Sequence, residues 1–491
     1  MLIKRKVESK MHNVYERVMQ YNQNRDPQFV QTKYKLMASG AFRFFRGTCH
    51  LFYEDLAKNQ TWKDTTKTWV CGDLHIENFG SYRSHHGVVY FDLNDFDEAV
   101  LAHPTWELSR FLCSIYLAGK ELNISEDQLK TITETLCDEY LQALQNGKAY
   151  SIEKETVKGI LKKYIKIVAE RDDLTFLNAH SKLLSANKRI LTIDHKKYFP
   201  IQDEKLKADL LQSFAQYLNA NSKKENEYQI QDVAIRVAGT GSIGLKRYVF
   251  LVYQAEEKSF YLIDVKQAQV SSLTLTPYLK IEQPRWKNQA ERVITVQSFM
   301  EYIPPAWLSQ FSFKKDNFIV KALQSEQDKM DFSLCAGRPD KFTDACHYMA
   351  RLMAYAQLRS AGRQGSDSID DLINFADKAK NWKAKLLEYT YNYYQQVLQD
   401  SAEFSQAYHA TKPDMAVATS QKHVDAPKVK SNLKQQSKLS LSKVAKKSHA
   451  VIEPQQSAVV VKSNLIAQAD SSDVVTKSDS VAKLKKVKSK V

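Results

Sequence analysis

Apolar and polar residues alternate along some stretches of this chain and recur every three or four positions along others, a pattern that predicts both strands and helices. Residues 68–71 and 87–91 are strongly apolar and are separated by a polar segment rich in turn-forming residues. They are predicted to be two strands of a hairpin-type pair, with their polar groups clustered at one end.

Helical spacing flanks this pair on both sides. Aromatic residues recur at helix-like intervals and then give way to a polar run, which predicts a helix over 37–58. Residues 105–118 gather Trp, Leu, Phe and Ile on one face, which predicts an amphipathic helix behind the strands. The segment 125–225 is mostly helical by pattern.

The pattern changes again near residue 233, where three alternating apolar stretches predict a β-meander. The predicted strands are 233–237, 248–252 and 260–266. A glycine-containing loop, 239–244, joins the first two. Further helices are predicted at 286–297, 344–359 and 369–398, with a break at Pro304-Pro305.

From about residue 410 onwards the chain has no Phe, Tyr or Trp and is dominated by Lys, Ser, Val, Ala and Gln. This tail is predicted to be disordered, because it cannot bury enough apolar surface to offset the entropy lost on ordering. The predicted regions are an N-terminal arm (1–36), a first core region with a helical insert (37–228), the meander region (229–305), C-terminal helices (306–409) and the tail (410–491).

The net charge of +15 is concentrated in one segment. Residues 411–491 hold sixteen lysines against six acidic residues, so the rest of the chain carries only about +5. No specific nucleic-acid motif accompanies this charge. The tail is either a dispensable solvated segment or an electrostatic tether to an acidic partner or surface, and the composition leaves both open.

The six cysteines are scattered singly, with no C-x-x-C pair, and are expected to be reduced thiols in the core. The start of the chain is basic but leads into polar sequence, and no apolar run is long enough to cross a bilayer. We therefore expect a soluble, cytoplasmic protein.

Two short motifs are rich in charged and polar residues: Gly72-Asp73-Leu74-His75-Ile76-Glu77-Asn78-Phe79-Gly80 and Phe91-Asp92-Leu93-Asn94-Asp95-Phe96-Asp97. A packed core would rarely tolerate this density of carboxylates without a use for them. The two motifs therefore indicate a site for a metal ion and a nucleotide.

Phosphoryl transfer requires a carboxylate near the acceptor, oxygen ligands for Mg²⁺, and cations and amides around the phosphates. Asp73 would orient or deprotonate the acceptor hydroxyl, and Asn78 and Asp92 are hard oxygen donors suited to Mg²⁺. Lys266 would pair with the α- and β-phosphates. The loop glycines Gly239, Gly241 and Gly244 would let the backbone approach them.

Simpler interpretations exist for each feature. The first motif could be a polar turn held by Asx-type hydrogen bonds, and His75 is better read as a structural residue that orients the loop than as a base. The glycine loop could be a flexible hairpin turn, and Lys266 could protect a sheet edge. A dinucleotide fingerprint is disfavoured because the loop leads into a strand rather than a helix. A metallophosphatase is disfavoured, because it would need further metal-binding histidine motifs and the twelve histidines of this chain are scattered.

The segment 73–78, followed by Asp92, resembles the catalytic loop and metal aspartate of the aminoglycoside-phosphotransferase branch of the protein-kinase-like superfamily. Over about residues 37–400 the chain also resembles a bacterial family, domain of unknown function 2252. The motifs that carry this second resemblance are Phe44-Phe45-Arg46-Gly47, the two acidic motifs above with Glu98, and Gly239-Thr240-Gly241-Ser242-Ile243-Gly244.

The resemblance implies a role for each matching residue. Asp73 falls on the catalytic aspartate, Asn78 and Asp92 on the metal ligands, and Lys266 on the lysine of the third strand. Glu291 would be the ion-pair partner of that lysine, with Glu282 as the other candidate. Asp95 and Asp97 have no matching position in the resemblance; they are extra metal ligands or substrate contacts, with Asp95 taken as a candidate metal ligand.

Two departures from the family pattern stand out. Many relatives carry Asp where this chain has Glu107. Near the end they have Ala-His-Ala-Arg-Ser-Gly-Asp, whereas this chain has Ala356-Gln357-Leu358-Arg359-Ser360-Ala361-Gly362. The roles of that His and Asp are therefore in question here.

The order of the motifs is unusual for a kinase, because the glycine loop and its lysine follow the catalytic loop instead of preceding it. A circularly permuted kinase fold accounts for this order, with residues 37–228 large-lobe-like and 229–305 small-lobe-like. We therefore expect an α+β, two-lobed, protein-kinase-like fold with a disordered C-terminal tail.

The expected activity is phosphotransfer that depends on ATP and Mg²⁺, or on Mn²⁺, to an acceptor that the sequence does not identify. Two alternatives stay open. One is a nucleotide-binding pseudokinase that serves as an interaction scaffold. The other is a nucleotidyl transferase that passes AMP from a nucleotide bound in reverse.

Overall fold

The structure is a computed structural model that describes residues 13–84, 86–222, 227–276, 279–325 and 330–419, with side chains to residue 411. The first twelve residues of the predicted arm lie outside the described residues. So does the predicted tail beyond residue 419. All the described residues belong to one compact unit.

Four short helices open the described chain: α1 (Val14–Asn22), α2 (Pro27–Met37), α3 (Ala41–Gly47) and α4 (Cys49–Asn59). The single helix predicted over 37–58 is therefore two. The break falls at Thr48, whose φ of −126° and ψ of 42° are not helical. Its hydroxyl donates to the carbonyl of Phe44 at 2.8 Å, a local side-chain bond that competes with continued helix.

Four short strands follow: β1 (Thr68–Val70), β2 (Phe79–Arg83), β3 (Val89–Leu93) and β4 (Val100–Ala102). The predicted pairing of the first strand with 87–91 is wrong. Instead β1 pairs with β4 and β2 with β3, both antiparallel. The segment 79–83 supplies the missing partner strand, and its serine and glycine had masked the apolar alternation.

Two long helices come next, α5 (Pro104–Glu121) and α6 (Glu126–Gln145). The predicted helix over 105–118 is confirmed by α5, which is buried on nearly every face from Pro104 to Gly119. A helix surrounded by protein in this way can hold the loops packed against it rigidly.

The segment predicted as mostly helical, 125–225, also contains strands that the pattern did not reveal. Its further elements are α7 (Gly159–Ala169), α8 (Asp173–His180), β5 (Ser181–Ser185), β6 (Lys188–Leu191), β7 (Tyr198–Phe199) and α9 (Glu204–Ala220). Strands β5 and β6 form an antiparallel hairpin. Most of that hairpin is exposed, so it lacks the half-buried alternation that identifies a strand.

The predicted β-meander is confirmed by β8 (Tyr228–Arg236), β9 (Arg247–Gln254) and β10 (Ser259–Gln267), which pair antiparallel in sequence. It belongs to a larger sheet. After α10 (Ser272–Leu275) and α11 (Gln289–Met300), strands β11 (Ser309–Phe313) and β12 (Asp316–Ala322) extend it past the predicted boundary at 305. The strand order is β11-β12-β10-β9-β8-β7.

One face of the sheet packs against α9 through a cluster that includes Phe214 and Phe250, whose rings stack with centroids 4.0 Å apart. Leu262, Asp264 and Lys266 alternate with residues of that cluster along β10 and so point to the opposite face. The two charged residues of β10, Asp264 and Lys266, therefore share one face, and that face is turned away from α9.

Three helices end the described chain: α12 (Pro339–Ser360), α13 (Ile369–Asp377) and α14 (Lys383–Thr419). The single helix predicted over 369–398 is divided near residue 380, where Trp382 stacks on Phe375. Helix α12 packs on α6, and α14 on α5.

The mixture of these helices with a mainly antiparallel sheet is an α+β architecture. All six cysteines are free and buried, as expected. Among the described residues, no helix is both long and apolar enough to cross a bilayer.

Candidate functional site

The loop after β1 turns sharply at Gly72, whose φ is +85°. A Cβ at this position would lie 2.3 Å from the carbonyl oxygen of Glu98, so only glycine fits. The buried carboxylate of Glu107 fixes the start of the loop, because Oε1 accepts from the backbone N–H groups of Cys71 at 2.6 Å and Gly72 at 3.3 Å. These contacts determine where Asp73 is placed.

Asp73 is held by Arg110, a fully buried residue of α5. The guanidinium donates from both Nε, at 2.8 Å, and Nη2 to Oδ1 of Asp73. It also lies over the ring of Phe45, 4.1 Å from the centroid. Because both bonds go to Oδ1, the second oxygen, Oδ2, has no hydrogen-bond donor among the described residues.

Asn78 connects this loop to the second acidic motif. Its Nδ2 donates to the carbonyl oxygens of Asp73 at 2.9 Å and Asp95 at 3.1 Å, and its Oδ1 accepts from the N–H of Asp95 at 2.7 Å. The amide is buried, so its bonds set the spacing of the two loops. His75 caps the short 3₁₀ turn between them by accepting from the N–H of Glu77, in line with the structural role expected for it.

Asp92 is buried in β3 and paired with Arg359 of α12. Arg359 Nη2 donates to both carboxylate oxygens, at 2.9 and 3.2 Å, while the N–H groups of Leu93 and Tyr302 donate to one oxygen each. Burial raises the pKa of Asp92, and the arginine opposes that shift. Both oxygens of the Asp92 carboxylate thus accept hydrogen bonds from protein donors, and the carboxylate does not contact Lys266.

The residues that meet Lys266 are Asp95 and Asp97. Lys266 Nζ lies 3.1 Å from Oδ2 of Asp95 and also pairs with Asp97. Burial disfavours the ammonium, but the two carboxylates outweigh it and raise the pKa of Lys266. The lysine lowers the pKa of Asp95, whereas burial and the neighbouring Asp95 carboxylate raise the pKa of Asp97.

Lys266, Asp95 and Asp97 are called the triad below. A further charged residue of β10, Asp264, lies beside it. Asp264 accepts from Arg247 Nε at 2.8 Å and from Arg236 Nη1 at 3.0 Å, and the two arginines hold its pKa well below the usual range despite burial. Arg247 also donates to the carbonyl of Ala238, directly before the glycine loop. The recess between the triad, Asp264 and α11 encloses only about 10 Å³, space for about one water molecule.

The glycine loop closes over these carboxylates. Gly239 and Gly244 have φ values of +80° and +91°, which glycine adopts without strain. A Cβ at Gly241 would lie 3.8 Å from Oδ2 of Asp73, and the hydroxyl of Ser242 lies 3.4 Å from Oδ2 of Asp97. Two segments far apart in sequence thus come into contact.

Glu291, predicted as the partner of Lys266, lies in the first turn of α11, where its backbone and carboxylate complete the helix cap. The alternative candidate, Glu282, is exposed. The structure gives Lys266 the two aspartates as partners instead. Helix α11 reaches the site through Gln297, which lines the recess, and through Arg292, which donates to the backbone carbonyl of Asp97 at 2.7 Å.

Sequence reasoning missed the arginines that organise the site, which are Arg110, Arg247, Arg292 and Arg359. A signal was present for the first, since Arg110 lies in a helix that is mainly apolar and a buried charge requires a partner. The others carry no local signal, because their partners are 17 to 267 positions away.

Glu107 and Gln357, far apart in sequence, meet in space. Gln357 Nε2 donates to Oε2 of Glu107 at 3.0 Å, and the hydroxyl of Tyr140 donates to Gln357 Oε1 at 2.6 Å. Glu107, Gln357 and Tyr140 therefore form one buried network beneath the loop that carries Asp73.

A family model described as an uncharacterised protein conserved in bacteria (DUF2252) matches residues 25–407, most of the chain. The chain belongs to this family. The matched region begins in the turn before α2 and includes both acidic motifs, the glycine loop and α12. No curated protein and no solved structure matches the chain.

Within the described residues, no group of three or more His, Cys, Asp or Glu side chains is arranged to hold a metal ion by itself. The pair of carboxylates beside Lys266 nevertheless suits Mg²⁺, because Asp95 and Asp97 supply hard oxygen ligands. In this structure both carboxylates pair with the ammonium group of Lys266. A cation that reached these carboxylates would release Lys266 for another anion.

Proposed function

We propose that this protein is a phosphotransferase that uses ATP and a divalent cation, Mg²⁺ or Mn²⁺. The observation that carries the proposal is the meeting of Lys266 with Asp95 and Asp97, although 171 positions separate Lys266 from Asp95. A cation, a pair of carboxylates and a glycine loop in mutual contact are the groups that phosphoryl transfer requires.

The glycine loop and Lys266 would hold the phosphates. Among the described residues, the backbone N–H groups of Thr240 and Gly241 make no hydrogen bond within the chain. Successive free amides in a turn form an anion-binding concavity. Lys266, once its carboxylates are neutralised by a cation, would pair with the same phosphate oxygens.

Asp95 and Asp97 would hold the cation, and the bound metal would neutralise charge on the phosphates. Asn78 would keep the loop of Asp95 at a fixed distance from that of Asp73. The sequence-based assignment of Asp92 as a ligand stays a prediction. It requires Asp92 to exchange Arg359 for the metal.

Asp73 would act on the acceptor hydroxyl. Arg110 holds Oδ1 and leaves Oδ2 directed towards the glycine loop, where a hydroxyl could donate to it. Glu107 would support this carboxylate indirectly, because it fixes the backbone at the start of the loop.

A permuted kinase-like fold with two lobes would explain the order of these parts along the chain. The region around α5 and α12 would be the large lobe, and the sheet β7–β12 with α11 the small lobe. Contacts between residues 73–97 and 239–266 support this arrangement, because they bring the late glycine loop onto the early catalytic loop.

The proposal is tested by incubating the full-length protein with ATP labelled either in the γ-phosphate or in the adenine, with Mg²⁺ or Mn²⁺. Lys266→Met should weaken ATP binding about tenfold or more, because charge-assisted bonds to phosphate are lost. The matched control is Lys246→Met, which removes a half-exposed lysine paired with Asp316.

Each result has a definite meaning. Transfer of the γ-phosphate label that requires Asp73 supports the proposal. Transfer of the adenine label indicates nucleotidyl transfer, and tight binding without transfer indicates a nucleotide-binding scaffold. If the wild-type protein binds no ATP with either cation, all three functions are excluded.

A further inference from the structure

The glycine loop is bound on its outer side by the N-terminal helices α1 and α2. Arg25, in the turn between them, donates from Nη1 to the carbonyl oxygens of Gly241 at 2.6 Å and Ile243 at 2.8 Å. Lys33 Nζ donates to the same Gly241 oxygen at 3.2 Å. The backbone N–H of Asp26 donates to the carbonyl of Gly244 at 2.9 Å.

The residues that make these contacts are buried or closely packed against the loop. Lys33 is fully buried and is anchored by a 2.9 Å bond to Oδ1 of Asn22. A Cβ at Gly244 would approach the Cβ of Arg25 to 2.9 Å, so the loop and the turn are packed as closely as a glycine permits. Four hydrogen bonds to the carbonyl oxygens of three loop residues, Gly241, Ile243 and Gly244, hold this face of the loop.

The inner side of the loop rests on the carboxylates of the site. Gly241 lies against Asp73, and Ser242 lies 3.4 Å from Asp97, which in turn is paired with Lys266. Because Gly241 and Ser242 lie directly against these two aspartates, a phosphate group can enter between the loop and the carboxylates only if the loop moves outwards, away from Asp73 and Asp97.

We propose that Arg25 and Lys33 are positioning residues that latch the glycine loop in this closed position and thereby control access of a nucleotide to the site. The part of this inference that concerns nucleotide rests on the proposed function. The latch itself concerns only the loop. An outward movement must break the bonds from Arg25 and Lys33 to the loop carbonyls, so these bonds oppose opening.

The latch is tested first without nucleotide, by hydrogen exchange in the full-length protein. In Arg25→Met/Lys33→Met the amides of Ser242, Ile243 and Leu245, which are bonded within the loop, should exchange about tenfold faster. Arg17→Met is the control, because Arg17 lies in α1 but pairs with Glu54 and Asp55. Unchanged exchange in the loop, or faster exchange spread equally over α1 and α2, would overturn the latch.

The second test measures how fast a fluorescent ATP analogue with Mg²⁺ associates with each variant. The double variant should associate several-fold faster than wild type, and Arg17→Met should match wild type. Slower association would show that the two residues help binding instead of opposing it, which contradicts the latch. If wild type binds no nucleotide, the proposed function fails, while the hydrogen-exchange result still decides whether the latch exists.

Discussion

Glu107 and Gln357 form a direct hydrogen bond inside the protein although 250 positions separate them in sequence. Through this bond α12 supports the same carboxylate that fixes the backbone of Cys71 and Gly72. Burial raises the pKa of Glu107, and the bonds from Cys71 and Gln357 oppose that rise. The position of Asp73 therefore depends on a helix at the other end of the described chain.

Replacing Gln357 by leucine should lower the free energy of unfolding by about 2–4 kcal/mol, because Oε2 of Glu107 and the hydroxyl of Tyr140 both lose a buried partner. Chemical denaturation would measure this change. Gln145→Leu, which removes an exposed bond to Asp377, is the control and should cost less than about 0.5 kcal/mol. Equal losses in the two variants would contradict a supporting role for Gln357.

Asp73→Asn should reduce phosphoryl transfer by about 10²–10⁴-fold while ATP still binds, because the amide cannot accept the acceptor's proton. Initial rates and a separate binding titration would distinguish the two effects. Arg110→Met should reduce the rate too, since it frees the carboxylate that the guanidinium orients. If Asp73→Asn transferred phosphate at the wild-type rate, Asp73 would have no role in the chemistry.

The ion pairs of Asp95 and Asp92 should respond differently to substitution of one member of each pair. Asp95→Asn should weaken the Mg²⁺ dependence of ATP binding with little loss of stability, because its side chain is half exposed. Arg359→Met should instead destabilise the fold by about 3–5 kcal/mol, since it leaves the buried Asp92 carboxylate without its cation.

Calorimetric titration with Mg²⁺ and ATP, together with thermal unfolding, would separate these outcomes. Asp92→Asn is the informative variant. If it abolishes the Mg²⁺ dependence and Asp95→Asn does not, then Asp92 is the ligand, as the sequence predicted, and the assignment to Asp95 is incorrect.

The Asp264 ion pairs should make stability depend on acidic pH. Because Arg236 and Arg247 lower the folded-state pKa of Asp264, its contribution is fully present above the ordinary value of 3.8 and is lost as the pH falls through the folded-state pKa. Wild type should therefore exceed Asp264→Asn in stability by about 3–5 kcal/mol near neutral pH. That difference should shrink steadily below about pH 4.

Urea unfolding of both proteins from pH 7 to the lowest pH at which wild type remains folded would measure the difference. Asp209→Asn, which removes a surface partner of Lys314, should change stability by less than about 1 kcal/mol at every pH. A wild-type advantage over Asp264→Asn that grew in acid would contradict the assignment.

Elements with a strong local pattern could be predicted from the sequence. Helix α5 and the meander β8–β10 lie close to their predicted positions, since both have a buried face that repeats with the period of the element. The predicted boundaries were wrong where a local side-chain hydrogen bond competed with the helix, as at Thr48. Strands that are mostly exposed, such as β5, were not predicted. The partner of β1 was also mispredicted, because pairing depends on contacts between separate segments.

The sequence by itself determined the chemical inventory of the site: two acidic motifs, a glycine loop and Lys266, with Asp73 at the turn after a strand. Only the tertiary structure decided which carboxylate meets which cation. Asp92 faces Arg359, whereas Asp95 and Asp97 face Lys266, and Arg25 holds Gly241 from 216 positions away. The physical reason is that an ion pair depends on distance in space, and the path of the chain between the partners, not their spacing in sequence, sets that distance.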